Sequence, residues 1–136
     1  MKKLLSTGYS ESMFTLAMFL LRSCLGVMIL LNHGIPKLAN YGDLQNNFFD
    51  PFHIGHRWSL ILCVFAEVFA AMLLVLGLFS RIGALILAID MSVAVFMYHQ
   101  GQPLKNSEEA VIFLVGFVCI ILVGPGKWSV DGMTGR

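Results

Sequence analysis

The sequence has little charge and few of the motifs that mark a soluble domain. Only 12% of its 136 residues are charged, whereas soluble domains carry about 25% charged residues. The net charge is +1 and no basic stripe follows the chain, which argues against a nucleic-acid-binding surface. The three cysteines include no C-x-x-C pair, so neither a disulfide framework nor a thioredoxin-like dithiol is predicted.

Apolar residues are what the sequence has in abundance. The hydrophobic fraction is 57% and the mean hydropathy is +0.79, and both indicate an integral membrane protein. A run of about 18 or more apolar residues with few charges can cross the hydrocarbon of a bilayer. The sequence therefore predicts an all-α, integral membrane four-helix bundle in the lipid bilayer, as a single domain over residues 1–136. The predicted helices are about 13–32, 59–79, 82–98 and 108–124.

Glycine, proline and aromatic residues set the predicted connections. Gly34 and Pro36 are expected to end the first helix. The long connection at 33–57 is rich in aromatic residues, which favour the membrane interface. The second and third helices form a hairpin across a short basic turn that contains Arg81.

Basic residues predict the orientation of the bundle. With four spans both termini lie on one side, and that side carries Lys2, Lys3, Arg81, Lys127 and Arg136. The other side carries Lys37, Arg57 and Lys105. The excess of basic residues predicts that both termini are cytoplasmic.

Ionisable residues within the apolar segments form the candidate site. Arg22, Glu67 and Asp90 each lie inside a predicted helix, where a charge costs at least a few kcal/mol unless it is paired or hydrated. A helix rises about 1.5 Å per residue, and counting from the predicted helix ends brings all three into one layer. We predict Arg22 as the partner of Glu67, with Asp90 as a competitor for that role.

Five further residues are predicted at the outer mouth of this layer: His33, Lys37, His99, Glu108 and Glu109. The candidate catalytic residues are Glu67, His33 and Arg22. The candidate substrate-binding residues are Lys37, His99, Asp90, Glu108 and Glu109.

Each of these residues also has a purely structural interpretation, which the sequence leaves open. Arg22 and Glu67 can form a buried ion pair with a purely structural role. Asp90 can be a protonated hydrogen-bond donor in the core. His33 and His99 can be polar residues at the membrane interface. Glu108 and Glu109 can be charges at a helix start. Lys37 can extend its side chain to the lipid head groups.

No metal site is predicted from the sequence. His53 and His56 have a ligand-like spacing, but no third ligand is placed beside them. Haem remains a minor alternative, because its axial ligands must lie within the bundle and the histidines lie at helix ends. Cys24, Cys63 and Cys119 are predicted to be small buried hydrophobic residues, with a Cys24–Cys63 pair as the alternative.

Three motifs, in this order and spacing, resemble the DoxX family over roughly residues 13–131. They are His33-Gly34-Ile35-Pro36-Lys37-Leu38 after an arginine-bearing helix, Glu67 followed by Leu76-Gly77-Leu78-Phe79-Ser80-Arg81-Ile82-Gly83-Ala84, and Glu108-Glu109-Ala110 followed by Gly124-Pro125-Gly126-Lys127-Trp128-Ser129-Val130-Asp131. The family pattern falls on Arg22, His33, Gly34, Lys37, Glu67, Gly77, Arg81, His99, Glu109, Gly124 and Pro125. Asp90 departs from that pattern, which has an apolar or small residue there.

The resemblance implies a four-helix bacterial or archaeal inner-membrane protein. It favours a redox-linked oxidoreductase subunit in quinone, thiol or sulfur-compound metabolism, with quinone as the candidate cofactor. Electrons would come from soluble or membrane partner proteins, since the chain has no electron-carrier motif. A non-catalytic assembly or interaction subunit and a small-solute transporter are the open alternatives, and a homo-oligomer is compatible with each.

Overall fold

The computed structural model of the protein describes residues 6–135, so the predicted topology residues Lys2, Lys3 and Arg136 lie outside the described range. Four helices in this range are long and apolar enough to span a membrane: α1 (Glu11–Ala39), α3 (His56–Leu76), α4 (Ser80–Tyr98) and α5 (Leu104–Val123). Two short helices, α2 (Tyr41–Leu44) and α6 (Val130–Met133), lie in the connection after α1 and in the C-terminal tail. Residues 6–135 contain no strand, so the predicted all-α membrane bundle is confirmed.

The two ends of the bundle differ in composition. One end, called the terminal end below, carries Glu11, the α3–α4 turn and Lys127, and Lys127 Nζ lies 2.6 Å from Glu11 Oε2. The opposite end, called the loop end, carries the connections at 40–55 and 99–103. The start of α1 and the tail after α5 therefore meet at the same end, as an even number of spans requires.

The predicted end of the first helix was wrong. Gly34 and Pro36 do not stop α1, which continues to Ala39. The turn Leu30–Gly34 is π-helical, and the backbone N–H of Ile35 donates to the carbonyl of Leu30. A widened turn of this kind accommodates a proline that would otherwise interrupt the hydrogen-bond ladder.

Two more π-helical turns occur in the spanning helices, at Phe65–Ala70 in α3 and Ala94–Tyr98 in α4. π-Helical turns are rare in proteins, and those that occur often lie at functional sites. The π turns of α1 and α3 contain His33 and Glu67, two of the candidate catalytic residues.

Small residues let the helices pack closely around an apolar core. A Cβ at Gly26 would lie 2.7 Å from Val75 Cγ2, and one at Gly83 would lie 3.0 Å from the carbonyl oxygen of Ala70. Close approach through small residues is the usual way in which membrane helices associate. The outward surface carries many large apolar side chains, as expected of a lipid-facing bundle.

Gly34 lies at a close contact between α1 and α3, and this contact can be tested. A Cβ at this position would lie 2.5 Å from the carbonyl oxygen of Glu67 and 2.9 Å from Val68 Cγ2. We expect Gly34→Ala to lower the free energy of unfolding in detergent by about 1–3 kcal/mol, because an added methyl group overpacks this contact. Gly42→Ala is the matched control, since a Cβ at Gly42 meets no atom within 4 Å. Equal stability of the two variants would contradict the described packing.

Candidate functional site

The α3–α4 hairpin places two carboxyl groups at one level of the bundle. Glu67 lies nine residues before the end of α3 at Leu76, and Asp90 lies ten residues after the start of α4 at Ser80. At about 1.5 Å per residue these positions are about 14 and 15 Å from the hairpin turn. Oxygens of the two carboxyl groups and the sulfur of Cys63 all lie within 4.8 Å of one another. The predicted proximity of Glu67 and Asp90 is therefore correct.

Lys37 of α1 completes this group, and its Nζ donates to both Glu67 oxygens at 2.6 Å. Glu67 is only 2% exposed, whereas the Lys37 side chain is 25% exposed. The pair forms because Gly34 packs directly on the backbone of Glu67. A residue three positions further along a helix lies on the same face, which brings Lys37 over the carboxylate. We name Lys37, Cys63, Glu67 and Asp90 the intramembrane cluster.

The predicted pairing of Arg22 with Glu67 was wrong. Arg22 contacts the carbonyl oxygens of Leu74 and Val75, seven and eight residues beyond Glu67 on α3. That separation corresponds to about 11 Å along the helix axis. The error arose because depth was counted from a first helix that ended at Asn32, whereas α1 continues to Ala39.

Arg22 instead holds the terminal end together. Its Nη1 donates to Leu74 O at 2.7 Å and to Val75 O, and its Nη2 donates to Trp128 O at 2.8 Å. The guanidinium thus satisfies carbonyls in the last turn of α3, where a cation also complements the helix dipole. Arg22 is 1% exposed, and its Nε has no hydrogen-bond partner among the described residues.

Asp131 in the C-terminal tail caps the start of α4. Its two carboxylate oxygens accept from the backbone N–H groups of Phe79 and Ser80, at 2.9 and 2.8 Å. A carboxylate at a helix N-terminus satisfies donors that the helix leaves open and complements its dipole. Arg22 and Asp131 therefore fix both sides of the hairpin turn, which in turn sets the level of Glu67 and Asp90.

The remaining predicted site residues lie toward the loop end, and only two of them pair. His33 Nε2 lies 3.0 Å from Glu109 Oε1, which joins α1 to α5, with side chains 31% and 62% exposed. His99 is half-buried and its Nδ1 lies 3.3 Å from Gln102 Oε1. Glu108 is exposed. His33 and Glu109 thus form a partly exposed ionisable pair toward the loop end of the bundle.

The loop over this end is ordered by Asp50. Its carboxylate accepts from the backbone N–H groups of Ile54 and Gly55 at 3.1 and 2.8 Å, and from the Ser59 hydroxyl at 2.8 Å. Partial burial acts to raise the pKa of the Asp50 carboxyl, but the hydrogen bonds from Ser59, Gly55 and Ile54 outweigh it and hold the pKa below its usual value. The carboxylate form therefore fixes the chain just before α3.

The cavity described for this structure lies away from the intramembrane cluster. A cavity of about 700 Å³ is present at the terminal end, where its lining includes Phe14, Phe79 and Arg81. None of the predicted site residues lines it. We therefore place the candidate site at the ionisable groups around Glu67 and not at this cavity.

Cys63 is the member of the cluster that the sequence analysis missed. All three cysteines are free, and Cys24 and Cys119 are exposed whereas Cys63 is partly buried. The signal was present, because Cys63 and Glu67 are four residues apart and so share one face of α3. Together the four side chains offer an ammonium group, two carboxyl groups and a thiol, which can exchange protons and bind a cation.

The chain was compared with known proteins and with protein-family models. Neither a curated protein nor a solved structure matches the chain. A family model described as DoxX matches residues 17–100, which is more than half of the 136 residues and includes the whole intramembrane cluster. Helix α5 and the tail lie beyond the matched range. The chain is a multi-pass membrane protein that belongs to the DoxX family.

Proposed function

We propose that this chain is a redox-linked membrane subunit whose intramembrane cluster exchanges protons with a small redox-active compound, either a quinone or a thiol. The observation that carries the proposal is the Lys37–Glu67 ion pair beside Asp90 and Cys63. Ionisable groups at membrane depth are costly and mark functional sites by default. A single structural ion pair needs two ionisable groups, whereas the cluster has four at one level.

The chemistry divides between this chain and its partners. Reduction of a quinone to a quinol consumes two electrons and two protons, and a partner redox protein supplies the electrons. The carboxyl groups of Glu67 and Asp90 deliver and recover the protons as general acids and bases. Lys37 holds a carbonyl or anionic oxygen of the bound compound. His33 and Glu109 connect this layer with water, since both are partly exposed.

We also propose that the protein lies in a bacterial inner membrane with both termini in the cytoplasm. Arg81, in the first turn of α4, and Lys127 support this orientation through the positive-inside rule. The loop end then faces outward, and proton exchange through His33 takes place with the outer solution.

The proposal predicts bound quinone, or turnover with a thiol or thiosulfate, in protein purified in detergent with its partner proteins. Glu67→Gln is expected to lower that turnover by about 10²-fold, the scale of a lost general acid or base. Asp43→Asn is the matched control, because Asp43 is exposed and belongs neither to the cluster nor to the candidate site residues. Absence of both quinone and turnover with the candidate partners would refute the redox role.

A second candidate is a non-catalytic assembly subunit or a small-solute transporter. The observation that favours it is the Lys37–Glu67 ion pair, which joins α1 to α3 and lies away from the cavity at the terminal end. Under this alternative, Glu67→Gln lowers only the amount of folded protein. Folded protein that has lost a redox or substrate phenotype would favour the first proposal.

A further inference from the structure

We propose that Cys63, Glu67 and Asp90 form a binding site for a divalent metal ion that accepts sulfur ligands, with Zn²⁺ as the probe. This inference does not depend on the redox role. The three side chains are ligand types that Zn²⁺ accepts in proteins. They come from two neighbouring helices, α3 and α4, whose relative level is fixed by the short turn between them.

The geometry requires only a small adjustment of the side chains. The three ligand atoms lie within 4.8 Å of one another. Around one tetrahedral zinc ion, with bonds of about 2.0–2.3 Å, ligand atoms are about 3.5 Å apart. Rotation of the Cys63, Glu67 and Asp90 side chains by about 1 Å each therefore closes the site, and a fourth position stays open for water or a small ligand.

A cation already occupies one side of this site. The Lys37 ammonium donates to both oxygens of Glu67 at 2.6 Å, which shows that the group attracts positive charge. Lys37 lies two residues before the end of α1 and its side chain is 25% exposed. Its flexible stem allows the ammonium to move toward water when a metal ion binds. The structure therefore describes the lysine-bound form of a cation site.

Charge neutrality favours a divalent ion. The three ionised ligands carry three negative charges, and a divalent ion with the nearby Lys37 ammonium carries three positive charges. A site in a low-dielectric interior is stable only when its charges balance in this way. On binding, the protons of any protonated ligand leave to the solution at the loop end.

The test is calorimetric titration of Zn²⁺ into the metal-free full-length protein in detergent, with the bound metal counted by mass spectrometry. We expect one zinc ion per chain, and at least about a 10-fold loss of affinity in Cys63→Ser, which removes a direct ligand. Cys24→Ser and Cys119→Ser are matched controls, since both thiols are exposed, and each should retain the site. Absence of zinc binding, or unchanged affinity in Cys63→Ser, overturns the proposal.

Two further variants separate this site from other zinc ligands and from misfolding. Asp90→Asn should lower zinc affinity, because it removes a second direct ligand. The double variant His53→Gln/His56→Gln should bind zinc like the unaltered chain. Loss of binding in that variant would place the metal on the loop histidines and overturn the proposal.

Discussion

Replacement of Arg22 by methionine is expected to lower the free energy of unfolding in detergent by about 3–5 kcal/mol, the cost of breaking a buried charged network. Arg22 is 1% exposed and satisfies three carbonyl oxygens, on Leu74, Val75 and Trp128. Methionine has a similar length but cannot donate to any of them, so one buried and two partly buried hydrogen bonds are lost. The last turn of α3 and the tail then separate.

Arg22→Lys should be intermediate, because a single ammonium cannot reproduce the planar fork of a guanidinium. Arg57→Met is the control, since Arg57 is exposed and donates only to the Tyr41 hydroxyl at 3.3 Å in the described hydrogen bonds. Thermal unfolding followed by gel filtration measures both effects. A change below about 1 kcal/mol in Arg22→Met, like that of a surface ion pair, would contradict the structural role.

Replacement of Lys37 by methionine is the second large effect that we expect. It leaves the Glu67 carboxyl, which is only 2% exposed, without the ammonium that donates to both of its oxygens. The carboxyl must then stay charged in apolar surroundings or take up a proton, and either outcome costs free energy. We expect a loss of about 3 kcal/mol, as for other broken buried ion pairs.

The reverse change, Glu67→Gln, should cost less, because Lys37 is 25% exposed and can extend its ammonium to water. The double variant Lys37→Met/Glu67→Gln should recover much of the stability lost in Lys37→Met. Lys105→Met is the control for loss of an exposed lysine at the loop end. If Lys37→Met and Lys105→Met unfold at the same temperature, the buried ion pair has no energetic role.

The predicted common level of Glu67 and Asp90 is correct, although the prediction counts Glu67 from the outer end of its helix. A short turn joins α3 to α4, so the two residues lie at nearly equal distances from that turn whatever the outer helix bounds are. Arg22 has no short connection of this kind to Glu67. Its helix is joined to α3 by the long connection at 40–55, and a π-helical turn carries α1 past the expected stop at Pro36.

Residue types alone do not predict the hydrogen-bond partners of Arg22. They are backbone carbonyls, and one belongs to Trp128 in the tail, 106 residues away along the chain. The Lys37–Glu67 pair, by contrast, left a signal. Gly34 and Lys37 are three residues apart, so a close helix contact at the glycine implies a lysine beside the partner helix.

The central claim is that Glu67 pairs with Lys37, whereas Arg22 belongs to a separate network at the terminal end. Double-mutant cycles test it directly, with unfolding free energies measured for Glu67→Gln combined with Lys37→Met and, separately, with Arg22→Lys. Contacting charges couple by about 0.5–3 kcal/mol, whereas sites beyond about 7–10 Å add to within about 0.5 kcal/mol. We predict coupling in that range for Glu67 with Lys37 and additivity for Glu67 with Arg22. Stronger coupling of Glu67 to Arg22 than to Lys37 would contradict the account.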